Sequence, residues 1–371
     1  MRCSPSIILE PRGDDVQRKD PGNSLREIGF VPLEVKDRFL FDRLLHPIET
    51  MLSAYSFVTH YVWSDLYRFY KGFIDDYLCL FAQYDEYIYM PLPPVPCRGL
   101  SPEVPENRIL IPPVYSGICH QPESPKRRGG RYDRYSESFQ GIVTTVFSIM
   151  DRINKNKAAS RIENIDEVHA EAFISMGYEI RPGEGEYVYL RKDLVELKGN
   201  AYKSKRALCN YFERHYPYRY EPFQPGDIDE CLRLFGEWRR KREEKINDTF
   251  YRALMEDSFS AHEQAMRYHR ELRLEGRVVR IEGRIEGYIF GFARGDILYI
   301  LMEVTNLDIK GLAQFIFREF CKEIDSYTYV NVLGDGGLEN LRAVKGSYRP
   351  YRIVPAYIAS PPSSHYTKEG R

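Results

Sequence analysis

The stretch LYILMEVTNLDIKGLAQFIFREF, Leu298 to Phe320, reads as a strand that closes near Val304, a short polar turn, and a helix opening at about Gly311. Leu312, Phe315, Ile316 and Phe320 recur at helical spacing and form the apolar stripe of that helix. Just upstream, RVVRIEG, IEGYIFGFAR and DILYILMEV are three strands separated by turns of two to four residues. An antiparallel meander whose last strand feeds a helix, followed by a further strand (TYVNVL), is an α+β arrangement with one crossover. A helix start leaves backbone N–H groups unpaired and carries partial positive charge, which suits a phosphate or a developing oxyanion. Gly311 would let such a ligand come close to the backbone. Alternatively, Asn306 or Asp308 simply caps a core helix.

The whole chain has 371 residues, which favours two domains. Its 53 basic and 54 acidic residues cancel, so any anion or nucleic-acid site must come from local clustering. Seven cysteines without CxxC or metal-ligand spacing read as free thiols of a reducing compartment. The start of the chain resembles neither a signal nor a transit peptide, and the longest apolar stretch, Gly141 to Met150, is half a membrane span; a cytoplasmic location is expected. Residues 1–24 are polar and read as disordered, and 361–371 as a flexible tail. Residues 25–198 and 199–360 are expected to form consecutive domains, the first interrupted by a Pro-rich mobile insertion over 97–137.

In the first half, VKDRFLFDRLLHPI and SFVTHYVWSDLYRF are helix candidates, YLCLFAQYDEYIYMPL holds short strands, and YEIRP and EYVYLR form a strand pair around a Gly-rich turn. In the second half, NAYKSKRALCNYFERHY, PGDIDECLRLFGEWRRKREEK and DTFYRALMEDSFSAHEQAMRYHREL are helices, and YRIVPAYIAS is a last strand.

The segment VNVLGDGGLENLRAVKGSYRPYRIV, with Asn331, Asp335, Gly337, Leu341, Arg342, Lys345, Ser347, Tyr348 and Pro350, resembles the C-terminal signature of the phosphatidylglycerol lysyltransferase C-terminal-domain family. YVYLRKDLVELKGNAYKSKRALCNYF and SFVTHYVWSDLY are similar to that family's central segment and early aromatic helix. The resemblance spans roughly residues 28 to 359, leaving out the insertion. It implies two tandem GNAT-like (acyl-CoA N-acyltransferase) domains, each a mixed, mostly antiparallel sheet flanked by helices, with the better site in the second. It further implies transfer of an aminoacyl group from aminoacyl-tRNA to a phospholipid or other small acceptor, without cofactor or metal, at most peripheral to a membrane. The chain departs from the pattern where Glu303 is followed by Val304 and where Val332 and Leu333 replace polar residues, and it lacks the multi-span membrane region of full-length lipid lysyltransferases.

Candidate site residues follow from the cations and carboxylates near these motifs. Glu303 or Asp335 would accept a proton or orient the donor's α-amino group, while Arg342 and Lys345 would hold phosphate or stabilise negative charge. Substrate-binding candidates are Lys203, Lys205, Arg206, Asn306, Asp308, Lys310, Gly311, Asn331 and Tyr348. Each has a bland alternative: snorkelling stems for the lysines, structural ion pairs for the arginines, and a helix N-cap for Asp335. The coenzyme A turn usually carries two glycines; NLDIKGLA has one glycine and an anion, Asp308, which weighs towards another acyl donor. An acyl-coenzyme A N-acetyltransferase and a catalytically inactive tandem-domain binding protein remain the alternatives. No G-x-S-x-G elbow is present, so a serine acyl-enzyme is not expected. The run SPKRRGGRYDRYS reads as a solvated loop with RNA gripping as its alternative, EWRRKREEK as an exposed helix face, and His262 and His269 lack a metal motif.

Overall fold

The structure, a computed structural model, describes residues 20–97, 137–244 and 249–362, and the side chains of 249–254 and Glu256 fall outside that description. Most of the expected N-terminal disorder, of the 97–137 insertion with its basic run, and of the tail therefore lies outside the described residues.

In chain order the first elements are α1 (Pro21–Glu27), β1 (Val31–Pro32), α2 (Arg38–Leu45), α3 (Phe57–Tyr61), β2 (Arg68–Ile74), β3 (Tyr77–Tyr84), β4 (Tyr87–Tyr89), β5 (Val95–Pro96), α4 (Glu137–Ile153), β6 (Ile162–Ile165), α5 (Glu167–Ser175) and β7 (Glu179–Pro182). Then come β8 (Glu186–Leu190), α6 (Arg191–Glu196), α7 (Lys203–His215), β9 (Tyr218–Pro222), α8 (Ile228–Glu243), α9 (Thr249–Arg267), β10 (Glu275–Ile281), β11 (Arg284–Arg294) and β12 (Ile297–Thr305). The last are α10 (Leu312–Glu323), β13 (Tyr329–Asn331), α11 (Glu339–Gly346), β14 (Arg352–Val354) and β15 (Tyr357–Ser360).

Two compact units share the chain, and they interleave instead of dividing at residue 198. Among the described residues, one takes 20–33, 67–97, 137–183 and 356–362; the other takes 34–66, 184–244 and 249–355. Three departures from the sequence expectation explain the interleaving. The strand pair YEIRP and EYVYLR does not form: β7 pairs with β15, whereas β8 pairs with β13 and β14. YRIVPAYIAS is two strands, β14 and β15, in different sheets, parted at Pro355, which has no N–H to extend a ladder. The aromatic helix after Ser56 is one short turn, Phe57–Tyr61, before the chain enters β2. A fourth departure is that residues 21–24 are helical, because Asp20 caps Gly22 and Pro21 sits at the first helical position.

The smaller unit pairs β1-β2-β3-β4, with β5 also on β3, and a second sheet β6-β15-β7. Phe81, Ile88, Val146, Ile162 and Phe173 centre its core, into which α4 turns its apolar face. The larger unit holds one seven-stranded sheet, β14-β8-β13-β12-β11-β10-β9. Every pairing in it is antiparallel except β12 with β13, which the α10 crossover makes parallel. Here α8 packs on one face of β11 and β12, while α10, backed by α6 and α7, packs on the other. Cross-strand neighbours share a face, so Val304 and Met302 lie with Tyr288 and Phe290 on the α8 and α9 side, where the Tyr288 hydroxyl meets His262. Glu303 lies with Ile289, whose side chain joins Phe315 and Ile316 in the α10-side core.

Candidate functional site

Two features of β12 open a cleft in the larger unit. The ladder to β11 slips between Phe290 and Gly291, so that Leu301 is an extra, bulged residue between Ile300 and Met302. On the other edge β12 pairs with β13 only over Ile297 to Tyr299. Beyond Tyr299 the two strands part, and a pocket of about 180 Å³ lies against the exposed part of β12. Its wall comes from Leu301 to Val304 of β12, the Asp335–Leu338 loop, the start of α11, α8 and α9. The lining is mainly apolar and aromatic, Trp63, Phe235 and Trp238 among it.

Glu303 is the reactive group this arrangement singles out. It is partly buried and lines the pocket, and it has no hydrogen bond or ion pair among the described residues. Burial without a compensating cation pushes its carboxyl up to about 8. The Tyr348 phenol and the Cys321 thiol lie close enough to feel its charge, and burial raises both further.

Asp335 also lines the pocket, yet its oxygens are already taken. It accepts from the Tyr187 hydroxyl at 2.7 Å, from Arg342 Nε at 3.0 Å, and from the Gly337 N–H at 2.9 Å. Burial alone would raise its carboxyl; the Arg342, Tyr187 and Gly337 hydrogen bonds outweigh that and hold it below the usual range. This geometry fits an anchor for the 335–338 loop better than a proton acceptor. It is also no helix N-cap, since Leu338 occupies that position of α11 and Asp335 closes a turn before it. Arg342 is 62% exposed and reaches back to Asp335.

Lys345 points inward, but it is not available to a phosphate. Its ammonium donates to three successive carbonyls, Val332 at 2.6 Å, Leu333 at 3.3 Å, and Gly334. Asn331 is spent in the same way: it donates to Met51 O and Glu186 Oε2 and accepts from the Leu333 N–H. Glu186 also binds the Ser53 hydroxyl and N–H, a buried network that pins the end of β13.

The helix start at Gly311 holds another helix. Gly311 has φ +89°, and a Cβ there would lie 2.2 Å from the Leu208 carbonyl oxygen of α7. The glycine serves close α7–α10 packing, not ligand approach. Asn306 opens the preceding turn, accepting from the Asp308 N–H and donating to Glu286, and Asp308, 74% exposed, pairs with Lys241. Lys310 is exposed over the Tyr211 ring, and Lys203 is exposed too. Arg206 donates to the carbonyls of Leu197 and Gly199 at the end of α6. Lys205 is half-buried with its ammonium 4.3 Å from the centroid of Tyr348, which lowers its basicity through desolvation. Of the thirteen sequence candidates, Glu303 and Asp335 thus line the pocket, and Lys205 and Tyr348 form a pair on the α10 side.

Sequence reasoning passed over Trp238 and Arg242, which line the pocket from α8, and the Ser53–Glu186–Tyr187 set, which supports it. Arg242 ends a run of four consecutive cations, Arg239 to Arg242, flanked by glutamates, so its inward turn leaves no pattern. Ser53 and Glu186 are 133 residues apart in the chain.

A meander with a bulged strand that parts from its parallel neighbour and feeds a helix, a pocket at the parting, defines a GNAT-fold acyltransferase-type domain. Residues 143–360 match the family model described as phosphatidylglycerol lysyltransferase, C-terminal, and the chain belongs to that family. Among solved structures it is similar to a conserved protein of unknown function from Bacteroides thetaiotaomicron VPI-5482, with 22% identity and a TM-score of 0.70 over 90% of this chain and 99% of that one. It is also similar to the C-terminal domain of a putative lysylphosphatidylglycerol synthetase from Agrobacterium fabrum, at 11% identity and TM-score 0.53 over 89% and 93%. L-PGS from Bacillus licheniformis matches at 16% identity and TM-score 0.53 over 88% and 92%. At these identities the likeness establishes the fold. No curated protein sequence matches the chain. No helix among the described residues is long and apolar enough to cross a membrane.

Proposed function

We propose that the chain is an aminoacyltransferase that moves an aminoacyl group from aminoacyl-tRNA to a phospholipid or another small acceptor, with Glu303 as its general base. The single observation that carries this reading is the partly buried carboxyl of Glu303, without a partner among the described residues, on the strand residue that lines the pocket where β12 leaves β13. An aminoacyl ester is already activated, so the protein has to place the acceptor, take its proton and stabilise the oxyanion. The acceptor oxygen or nitrogen attacks the ester carbonyl and passes its proton to Glu303. The bond to the tRNA ribose oxygen then breaks, and that oxygen takes a proton back from Glu303. The bulge at Leu301 releases backbone from the β11 ladder at the pocket wall, where an N–H serves the oxyanion. Family membership supports the aminoacyl donor, and the Leu208 carbonyl packed on Gly311 argues against a coenzyme A pyrophosphate at that helix start.

The test is transfer of label from charged tRNA into a lipid extract or a small-molecule fraction by the whole chain, with Glu303→Gln as control. Label transfer lost in Glu303→Gln supports the reading. Transfer from acetyl-coenzyme A alone, or label transfer indifferent to Glu303→Gln, overturns it.

A further inference from the structure

The charge of the pocket is carried by one residue outside the chemistry just described. Along α8 the neighbouring cations are all matched: Arg233 with Glu237 at 2.6 Å, Arg239 with Glu243 at 3.0 Å, Arg240 with Glu244 at 2.7 Å, and Lys241 with Asp308. Arg242 is the exception. It turns into the pocket wall, its guanidinium carbon 5.4 Å from the centroid of Trp238, and it has no hydrogen bond or ion pair among the described residues. Its Nε is buried and without a hydrogen-bond partner. Arg242 is partly buried, and a guanidinium nitrogen left buried and unpaired costs free energy that an incoming anion recovers.

The other titratable groups of the wall do not answer that charge. Asp335 is committed to Arg342 at 3.0 Å, and His262, buried, faces the Tyr288 hydroxyl at 2.8 Å. Glu303 holds its proton through neutral pH because burial raises it. The remaining wall is mainly apolar and aromatic, with Ser258 and Asn340 as its uncharged polar members, and about 180 Å³ suits a ring-sized group, given that a cavity of about 150 Å³ takes up benzene.

Resting on the reading of this pocket as the transfer site, we infer that it seats an acyl acceptor with a ring-sized apolar body and one anionic group, carboxylate or phosphate, on Arg242. A cationic ligand such as a lysyl side chain is turned away, because among the described residues the wall offers it a guanidinium and no free carboxylate.

Calorimetric titration of the whole chain with 3-phenylpropionate, benzyl phosphate, 3-phenylpropanamide and lysinamide tests this. At least one of the two anions is expected to bind about tenfold or more tightly than the neutral amide, with lysinamide not saturating. Which anion it is tells carboxylate from phosphate recognition. In Arg242→Gln the anion is expected to fall to the level of the amide, whose own affinity stays within about twofold and so reports an intact pocket. Arg242→Lys, which keeps the charge, retains a preference for the anion and keeps the test open if Arg242→Gln does not fold. Equal binding of anion and amide, a preference for lysinamide, no binding of any probe, or an anion preference unchanged in Arg242→Gln overturns the inference. Anion preference without label transfer from charged tRNA leaves this inference standing and removes the aminoacyltransferase reading; transfer with lysinamide preference does the reverse.

Discussion

The Lys345 ammonium lies 2.6 Å from the carbonyl oxygen of Val332 and donates as well to the carbonyls of Leu333 and Gly334. One cation therefore gathers three carbonyls that point the same way at the end of β13, in the segment that leads to Asp335. Lys345→Met removes the donor and leaves buried acceptors unpaired, at a cost of about 2–4 kcal/mol of stability. Urea unfolding of the two proteins checks this, and loss below about 0.5 kcal/mol would show that water or backbone shifts replace the ammonium.

Gly311 meets two constraints at once. Its φ of +89° disfavours any side chain, and a Cβ would stand 2.2 Å from the Leu208 carbonyl oxygen. That oxygen belongs to the α7 backbone, so relief requires α7 and α10 to separate over the Phe212–Phe315 contact. Gly311→Ala is expected to lose about 3 kcal/mol or more, seen as a clear drop in the thermal midpoint. Asp308→Ala, three residues away on the exposed ion pair with Lys241, should change stability by about 0.5 kcal/mol or less.

These two positions show what was legible in the sequence. The strand–turn–helix reading of Leu298 to Phe320 holds, because apolar periodicity fixes it locally: β12 ends at Thr305 and α10 begins at Leu312. At Gly311 the sequence marks a place where something can approach the backbone closely, and in the structure that neighbour is the α7 backbone, which the sequence alone does not identify. Lys345 reads as a candidate cation from the C-terminal signature, whereas its partners 11 to 13 residues earlier depend on how the 332–334 loop folds back. The pairing of β8 with β13, and of β14 with β8, rests on contacts far apart in sequence, so the boundary at 198 could not be seen to fail. Glu303 was legible as a carboxylate within an apolar strand; that it lacks a partner is a property of the folded wall.

In the smaller unit, Arg161 and Glu163 form a buried pair at 2.6 Å, with the guanidinium 4.1 Å from the Tyr89 ring centroid. Burial works against both charges, and each charge offsets the cost for the other. Arg161→Met alone strands Glu163 and should cost about 3–5 kcal/mol, whereas Arg161→Met with Glu163→Leu should recover most of that loss. A double-mutant cycle in urea measures the coupling, and additive losses would place the stabilisation in packing instead.

Glu303 links stability and activity to pH with opposite signs. Its folded carboxyl sits near 8 against an unfolded value near 4.5, so the folded state binds the extra proton between those two limits. The stability it permits is full below pH 4.5 and declines as pH rises towards 8. Glu303→Gln cannot ionise and is expected to be more stable than the parent at pH 8.5 by ~2 kcal/mol, less than the full linkage of ~1.4 kcal/mol per pH unit because the carboxyl is only partly buried. The same proton must leave before Glu303 can act as a base, so transfer by the parent should rise through pH 7 to 9, while Glu303→Gln falls by about 10²–10⁴ and loses that rise. Urea midpoints and transfer rates taken in parallel from pH 5 to 9 read both limbs. A parent whose stability difference from Glu303→Gln does not change with pH would mean that the carboxyl is solvated in solution, and the choice of Glu303 as the base would fall with it.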